Sequence, residues 1–511
     1  MSKPALVFIG FMGAGKSTAL AAARRAGLET TEIDAVMEDE LGMPIAQAFE
    51  RHGEQGFRDR EAEVVGALLE EADGGAIALG GGSVLSKRIR AALDRHVVVW
   101  LRVDAQESWR RIAHSDRPLA TSAEDVARLM ATREPLYEEL ADAVIPVGDR
   151  AIVSRALPAL MALAGLPAGT RMLWATSASG EYPILVGRGL LDSDWWPLGG
   201  RRFCVTDSTV GARYGGRLSS LAATVEVEPG EEAKTMAEAE RILRELARAG
   251  MTREDHVIAL GGGVIGDLAG FCAHLYQRGV PVVHLPTTFV AQVDSAYGGK
   301  TGVDLPEGKN YVGAYHLPAA VIADAKTLDS LPPYELQSGF VEVLKTGLLA
   351  GGSLWERVRS IDSIDSEMVA DMVFACADYK CGVVAADERE TGWRAVLNLG
   401  HTVGHALETG TAYTHYSHGE AIGLGLLAAL RLSDAPDLRD EVESVLCRLD
   451  LPVGIDPDSF DVDAILDALQ RDKKRTAAGV GFVLLSEPGQ PRPGQLINPD
   501  RVKSAVEELL G

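Results

Sequence analysis

Gly10-Phe11-Met12-Gly13-Ala14-Gly15-Lys16-Ser17-Thr18 directly follows the apolar run Ala5–Ile9, and that order leaves this part of the chain few folds. A short strand must enter a glycine-rich turn and leave it as a helix, so that backbone N–H groups and the helix N-terminus surround an anion. Gly13, Ala14 and Gly15 supply the turn and Thr18 continues into the helix. Lys16 reaches the β- and γ-phosphates of a nucleoside triphosphate such as ATP, and the Ser17 hydroxyl ligates Mg2+. Lys16 also interrupts the apolar stretch, so the segment does not read as an export signal.

Residues 1–165 alternate short β-rich runs with amphipathic helices. Ala5–Ile9, Ala76–Leu79, Val97–Leu101 and Ala143–Val147 read as strands of a parallel sheet with helices on both faces. Ala164–Thr170, with two Gly and one Pro, reads as a linker. A second α/β region, 172–330, has strand-like runs at Pro183–Val186, Arg202–Thr206, Val257–Leu260 and Val282–Leu285. After Leu331-Pro332-Pro333 the remaining stretch, 331–511, is rich in Ala, Leu and Glu and reads as helical until a strand signal at Gly481–Leu485. The fold expected is therefore α/β: a P-loop domain, a Rossmann-like α/β domain, and a mostly α-helical domain.

A formal net charge of −23 argues against a nucleic-acid or anionic-membrane surface, while local Lys and Arg clusters can still bind small anions. The five cysteines are scattered without a C-x-x-C pair, which points to free thiols in a reducing, cytoplasmic compartment. Ala421–Leu430 is well short of the roughly 18 residues needed to span a bilayer and reads as a buried helix.

Within the amino-terminal third, Glu32-Ile33-Asp34 follows the expected second strand, where carboxylates can serve Mg2+ and a substrate hydroxyl. Arg58 sits on a helix, and its guanidinium suits bidentate pairing with a carboxylate. Gly80-Gly81-Gly82 follows a strand, so backbone can approach a small ligand closely. Arg117-Pro118-Leu119 lies in a polar loop able to close over phosphates, and Arg133 is taken to begin another helix. The motifs GFMGAGKST, E-I-D at 32–34, G-E-x-x-F-R-x-x-E at 53–61, GGG at 80–82, R-P-L at 117–119 and R-x-x-L-Y at 133–137 together resemble shikimate kinase. The resemblance implies that Asp34, Arg58, Gly81, Gly82 and Arg133 hold the hydroxyls and carboxylate of shikimate. It makes Arg117 the lid arginine on the transferring phosphate and Asp34 an acceptor of the hydroxyl proton. Glu32 departs from the family's usual Asp, and R-P-L-A from its commoner R-P-L-L.

Beyond the linker, Gly261-Gly262-Gly263-Val264-Ile265-Gly266-Asp267 follows a strand, and Asp207 ends the preceding one, placed to accept a ribose hydroxyl. Pro286-Thr287-Thr288 closes the next strand. Pyrophosphate over the glycine loop, and NAD as ligand, is the natural reading. Asp294, Lys300, Lys309 and Asn310 fall in glycine-rich loops suited to a phosphorylated, polyhydroxylated substrate. His401 and His405 share one helical face, His418 starts another helix, and Glu342 lies upstream. A His2Glu set with an open position is a common catalytic zinc site, and spacing alone does not say which two His bind or exclude His415.

Residues 172–490 are similar to 3-dehydroquinate synthase. The similarity is carried by P-G-E-x-x-K-T at 229–235, GGGVIGD, PTTFVAQVDSAYGGKTGV, GKNYVGAYHLP, ADERETGWRAVLNLGHTVGHALE, HGEAIG and D-K-K-R at 472–475. It implies Zn2+, with Co2+ as the alternative ion, on Glu342, His401 and His418. It implies NAD on Asp207, Glu231, Lys234, Gly262, Gly263, Asp267, Thr287, Thr288, Lys300, Lys309 and Thr327. Substrate would meet Asp294, Lys300, Lys309, Asn310, Lys345, Lys380, Arg394, Asn398, His405 and one of Lys473 and Lys474. Tyr297 replaces the family's usual small residue, and Pro229 stands where Asp often precedes G-E.

The two resemblances imply a fused enzyme, a phosphotransferase joined to a phosphorus–oxygen lyase, acting on small molecules and forming a homodimer through the carboxy-terminal half. The readings weighed against it are a related sugar-phosphate cyclase or polyol dehydrogenase at that end and a non-catalytic ATP-binding module at the other. A dehydrogenase would not gather Lys300, Lys309 and Lys380 around a phosphate. A nucleotide sensor would not keep carboxylate-binding arginines.

Overall fold

Four consecutive apolar residues, Leu6–Ile9, form β1, buried on both faces as a strand between parallel neighbours must be. The computed structural model describes residues 3–113, 122–149, 151–364, 366–411, 415–455, 465–466, 469 and 480–510. They form two units, Met1–Ala175 with Pro183–Leu185, and Thr176–Tyr182 with Val186–Gly511.

In the first unit β1 is followed by α1 (Lys16–Arg25), β2 (Thr30–Glu32), α2 (Ile33–Leu41), α3 (Ile45–Glu71), β3 (Ala76–Ala78) and α4 (Lys87–Leu93). Then come β4 (Val97–Arg102), α5 (Ala105–Ile112), α6 (Ala123–Leu140), β5 (Ala143–Pro146), α7 (Ile152–Leu163) and β6 (Arg171–Thr176). The strands order as β2-β3-β1-β4-β5-β6, and each neighbouring pair is parallel. Such pairs need a crossover rather than a tight turn, which is why helices alternate with strands. Arg133 does not begin a helix: α6 starts ten residues earlier at Ala123, where Ser122 Oγ accepts from Asp125 N at 3.1 Å and Glu124 and Asp125 favour the N-terminus.

After β7 (Glu181–Gly187), the second unit runs through β8 (Arg202–Asp207), α8 (Ser208–Tyr214), β9 (Leu221–Val227), α9 (Met236–Arg248), β10 (His256–Gly261), α10 (Gly263–Leu275) and β11 (Val282–Pro286). A hairpin of β12 (Lys300–Leu305) and β13 (Gly308–Tyr315) precedes β14 (Ala320–Asp324). The sheet order β14-β11-β10-β8-β9 is parallel throughout. Phe203, Val205, Val257, Ile265 and Leu268 pack in the core between this sheet and α9 and α10.

The helical part comprises α11 (Pro333–Ala350), α12 (Gly352–Arg359), α13 (Ser366–Ala386), α14 (His401–Gly410), α15 (His418–Leu432) and α16 (Pro436–Arg448). The hairpin β15 (Gly481–Leu485) and β16 (Pro491–Leu496) and α17 (Pro499–Glu507) follow. α15 contains the run Ala421–Leu430 and is buried along nearly its whole length. Glycines let it come close to its neighbours. A Cβ at Gly419 would lie 2.3 Å from Ser338 Cα on α11, and one at Gly425 2.0 Å from the Gly400 carbonyl before α14. That approach brings three helices to one point. No helix among the described residues is long and apolar enough to cross a membrane.

Candidate active sites

Gly13 and Gly15 hold φ of 75° and 87°, values that other residues adopt only with strain. α1 therefore begins at Lys16, and the first-turn N–H groups, which have no partner within a helix, open into the loop. Lys16 Nζ arches back to donate to the carbonyls of Gly10 (2.8 Å) and Phe11 (3.1 Å). Ala14 is buried in the loop, and Thr18 lies on the exposed first turn. Ser17 Oγ donates to Glu32 Oε1 at 2.5 Å, so the carboxylate ending β2 stands behind the hydroxyl expected to meet Mg2+.

The Gly80–Gly82 turn lies against this loop: a Cβ at Gly81 would be 3.5 Å from Gly10 O and 3.6 Å from Met12 N. Asp34 Oδ1 comes within 3.4 Å of the equivalent point on Gly80. The Arg58 guanidinium crosses Gly82 so closely that a Cβ there would lie 2.2 Å from Arg58 Nη2. Arg58 Nη1 donates to buried Glu61 at 2.6 Å, and the other Glu61 oxygen accepts from Ser83 Oγ at 2.6 Å. Arg133 Nη1 (3.2 Å) and the Tyr137 hydroxyl (2.5 Å) both donate to Gly81 O. Asp34, Arg58, Gly81, Gly82 and Arg133 are thus gathered beside the phosphate loop, two cations and one carboxylate around a glycine turn. Arg117 lies outside the described residues. A cavity of about 570 Å³ beside the loop is bordered by Gly13, Thr18, Arg110, Arg111 and Asp149. Arg111 donates to Gly13 O at 2.9 Å and Val147 O at 3.1 Å.

In the second unit the carboxyl ends of the parallel strands present Asp207, Gly262-Gly263, Thr287-Thr288 and, just past β14, Thr327. This edge is where α/β sheets bind ligands. Asp207 Oδ1 caps α8, accepting from Thr209 N (3.0 Å) and Val210 N (2.9 Å). Gly262 must be small, since a Cβ there would lie 2.8 Å from Thr288 Cγ2. Thr287 Oγ1 is buried and makes no hydrogen bond among the described residues, which fits a hydroxyl facing a ligand. Thr327 Oγ1 accepts from Gln292 Nε2 at 3.0 Å. Buried Lys234 pairs with Asp267 at 2.7 Å and Glu231 at 3.7 Å, while Lys309 reaches Glu231 at 3.9 Å. Glu231, Lys234 and Lys309 border a cavity of about 590 Å³ together with Asp304. Asn310 N donates to Asp304 at 2.7 Å.

Glu342 from α11, His401 from α14 and His418 from α15 converge. Glu342 Oε1 stands 3.4 Å from Nε2 of each histidine. Two ligand atoms about 2.1 Å from a tetrahedral ion lie about 3.4 Å apart, so the spacing fits a zinc-like centre. The carboxylate is buried, and among the described residues its oxygens meet only the cationic side chains around it, with no hydrogen bond of good geometry. The remaining ring nitrogens are fixed, His401 Nδ1 by Leu399 O at 3.1 Å and His418 Nδ1 by Glu408 at 3.2 Å. That is the usual support for metal-binding imidazoles. His405 faces the same point, its ring 5.2 Å from His401 and 6.2 Å from His418. Burial opposes charge on His418, but Glu342 and Glu408 outweigh it and lift the imidazole to about 10.

Lys345 pairs with Glu342 at 2.5 Å, and Lys380 with Asp294 at 2.8 Å. Burial draws Lys380 below its ordinary value against the pull of Asp294. For Lys345 burial acts the same way, but Glu342 and Asp294 outweigh it and raise it. Lys300 pairs with Glu390, whose other oxygen accepts from Asn398 Nδ2 at 3.1 Å. Arg394 is buried, donating to Glu388 O at 2.5 Å and Gly298 O at 3.2 Å, and so braces the loop around the site. Lys473 and Lys474 lie outside the described residues. Glu61, Tyr137, Arg110, Arg111, Glu390 and Glu408 were not singled out from sequence. Glu61, Tyr137, Glu390 and Glu408 stood inside the motifs, which was the available signal.

Residues 12–160 match the family described as shikimate kinase. Residues 224–338 match 3-dehydroquinate synthase N-terminal and residues 339–475 3-dehydroquinate synthase C-terminal. The chain is 39% identical to the 3-dehydroquinate synthase of Symbiobacterium thermophilum over 352 residues, covering 64% of this chain and 98% of that one. It is 43% identical to that of Geobacter metallireducens over 300 residues, covering 55% and 82%. Among solved structures, 2-epi-5-epi-valiolone synthase from Streptomyces hygroscopicus with NAD+ and Zn2+ bound matches with a TM-score of 0.56 and 25% identity, over 64% of this chain and 96% of that one.

Proposed function

We infer the chemistry from one premise: the chain belongs to the 3-dehydroquinate synthase family and carries a shikimate kinase domain ahead of it. It is a bifunctional enzyme of the shikimate pathway. One activity phosphorylates the 3-hydroxyl of shikimate with ATP; the other cyclises 3-deoxy-D-arabino-heptulosonate 7-phosphate to 3-dehydroquinate and releases phosphate. The kinase occupies 1–165, and the synthase has an NAD-binding part at 172–330 and a metal- and substrate-binding part at 331–511. The observation that carries the reading is that each unit assembles its own charge set, Lys16 with Asp34, Arg58 and Arg133 in one, Glu342 with His401, His418 and the lysines in the other.

In the kinase, Arg58 and Arg133 pair with the substrate carboxylate and turn its hydroxyl toward the phosphate loop. Asp34 takes the hydroxyl proton, Lys16 neutralises the transferring phosphoryl oxygens, and Arg117 closes on them. Mg2+, held by Ser17 with Glu32 behind it, supplies further neutralisation. Positioning and charge carry nearly all of such a reaction.

In the synthase, bound NAD+ accepts and returns a hydride and the divalent ion, Zn2+ or Co2+, acidifies a ring hydroxyl. Asp207, Gly262, Gly263, Thr287, Thr288 and Thr327 hold the dinucleotide, with Lys234 and Asp267 beside it. Glu342, His401 and His418 hold the ion. His405 moves the proton of the ring hydroxyl. Lys300, Lys309 and Lys380 hold the phosphate, which takes the neighbouring C–H proton as its C–O bond breaks and the electron pair leaves with it. Asn310, Arg394, Asn398 and Lys473 or Lys474 orient the remaining hydroxyls and carboxylate. The two reactions are not consecutive, so the fusion does not imply transfer of product between sites. The free cysteines support a reducing, cytoplasmic setting. Assembly as a homodimer through the synthase half follows from the family resemblance.

The deciding experiment is ADP release from the full chain with ATP, Mg2+ and shikimate, with Lys16→Met as control. Shikimate-dependent ADP that vanishes in the variant, while phosphate release from the heptulosonate phosphate persists, is the expected result. Phosphate release without any shikimate-dependent ADP would overturn the kinase assignment.

A further inference from the structure

Asp294 stands in a wide π-helical turn, Ala291–Ser295, a geometry that proteins keep mostly at functional sites. Ala296 N closes the turn onto Ala291 O at 3.1 Å. Asp294 O then accepts from Tyr297 N at 3.2 Å and from Lys380 Nζ at 2.7 Å, while Asp294 Oδ1 pairs with the same ammonium at 2.8 Å. One residue therefore grips Lys380 twice, through backbone and side chain, and the grip is only as exact as the turn.

Tyr297 braces that turn from its side chain. The side chain is 1% exposed, and its hydroxyl donates to Gln292 O at 2.5 Å. Gln292 is itself pinned to the strand ends of the dinucleotide edge: its Nε2 donates to Pro286 O (2.9 Å), Asp324 O (3.0 Å) and Thr327 Oγ1 (3.0 Å). Gly298 N, which a continuing α-helix would give to Asp294 O, donates instead to the Tyr182 hydroxyl at 3.2 Å. A continuous hydrogen-bonded path thus runs from Thr327 through Gln292 and Tyr297 to Asp294 and Lys380.

We propose that Tyr297 is a positioning residue of the synthase reaction, its hydroxyl fixing the Ala291–Ser295 turn so that Asp294 holds the Lys380 ammonium where the departing phosphate binds. The inference rests on the synthase reading above. It belongs to the hydroxyl and not to the ring: phenylalanine fills the same buried space but leaves Gln292 O without its donor.

The test is Tyr297→Phe in the full chain, alone and combined with Lys380→Arg. Phosphate release from the heptulosonate phosphate should show kcat reduced about tenfold with KM changed less than about threefold, the size expected for one lost buried hydrogen bond. Shikimate-dependent ADP release should be unchanged. In the Lys380→Arg background the same substitution should have less than about a twofold effect, because residues acting through one another are not additive. A wild-type kcat in Tyr297→Phe, an equal loss in both backgrounds, or an activity loss explained by an early melting transition would each overturn the proposal. A wild-type chain that releases no phosphate would instead overturn the synthase reading.

Discussion

Glu408 Oε1 lies 3.2 Å from His418 Nδ1, on the side of the ring opposite the nitrogen that faces Glu342. The carboxylate is buried on α14, and it fixes both the tautomer and the rotation of an imidazole that starts a different helix. Glu408→Gln keeps the shape and removes the charge. We predict a 10- to 100-fold loss of divalent-metal affinity, roughly what such supporting partners contribute. Chelator competition with Zn2+, or the visible absorption of bound Co2+, would measure it. An unchanged affinity would show that Glu342 and His401 orient His418 unaided.

Glu61 plays the corresponding part in the kinase. It is buried, one oxygen taking Arg58 and the other Ser83, and Arg58 lies directly over Gly82. Glu61→Gln loses a charge-assisted bond of about 1.5–3 kcal/mol and frees the guanidinium to rotate. The expected consequence is a KM for shikimate raised about tenfold or more with kcat less affected, since carboxylate binding is felt in ground and transition states alike. A fall in kcat at constant KM would mean that Arg58 acts on the transferring phosphoryl group.

The distinction between what sequence showed and what it hid follows the range of the interactions. Lys16 and Ser17 are set by a local turn, and His401 and His405 by helical spacing, so both were legible. Glu390 and Glu408, and Glu61 through its bond to Ser83, act between separate segments, so the motifs that contain them do not say what they hold. Lys300, Lys309 and Asn310, expected in glycine-rich loops, lie instead on the hairpin of β12 and β13, whose apolar pattern Gly302 and Gly313 break. The structure shows why they are there: a Cβ on either would press within 2.7 Å or 2.4 Å of the opposite strand's carbonyl. The helix start expected at Arg133 fails because α6 runs through it and carries Pro135 in its interior, a position where proline is uncommon.

Two helical glycines of the synthase unit should respond oppositely to alanine. At Gly425 the new methyl would meet Gly400 O at 2.0 Å and Gly404 N at 2.9 Å, backbone atoms that cannot move aside singly. Gly425→Ala should cost about 1–3 kcal/mol, the range for overpacking, and spread α14 from α15. At Gly382 on α13 nothing lies within 4 Å of the added carbon. Gly382→Ala should therefore stabilise by about 0.5–1 kcal/mol through the unfolded chain's lost freedom. Denaturant midpoints of the two variants test the pair, and equal shifts of one sign would refute the packing argument.

Acid should weaken the synthase unit through His284. This residue sits on β11, buried, and burial first and the charge of His316 second lower its imidazole to about 4. The unfolded chain titrates near 6.5, so between these values the unfolded state binds more protons than the folded one. Stability is then full above about pH 6.5, is lost as the pH falls toward 4, and levels off below it. The shift bounds the loss at about 3 kcal/mol. Thermal midpoints of the synthase unit measured between pH 7 and pH 4 should follow this limb, and His284→Gln should flatten it while leaving the upper plateau's pH dependence unchanged. A variant that retains the full acid slope would assign it elsewhere, first to His316 and His256, which burial also holds below their ordinary values.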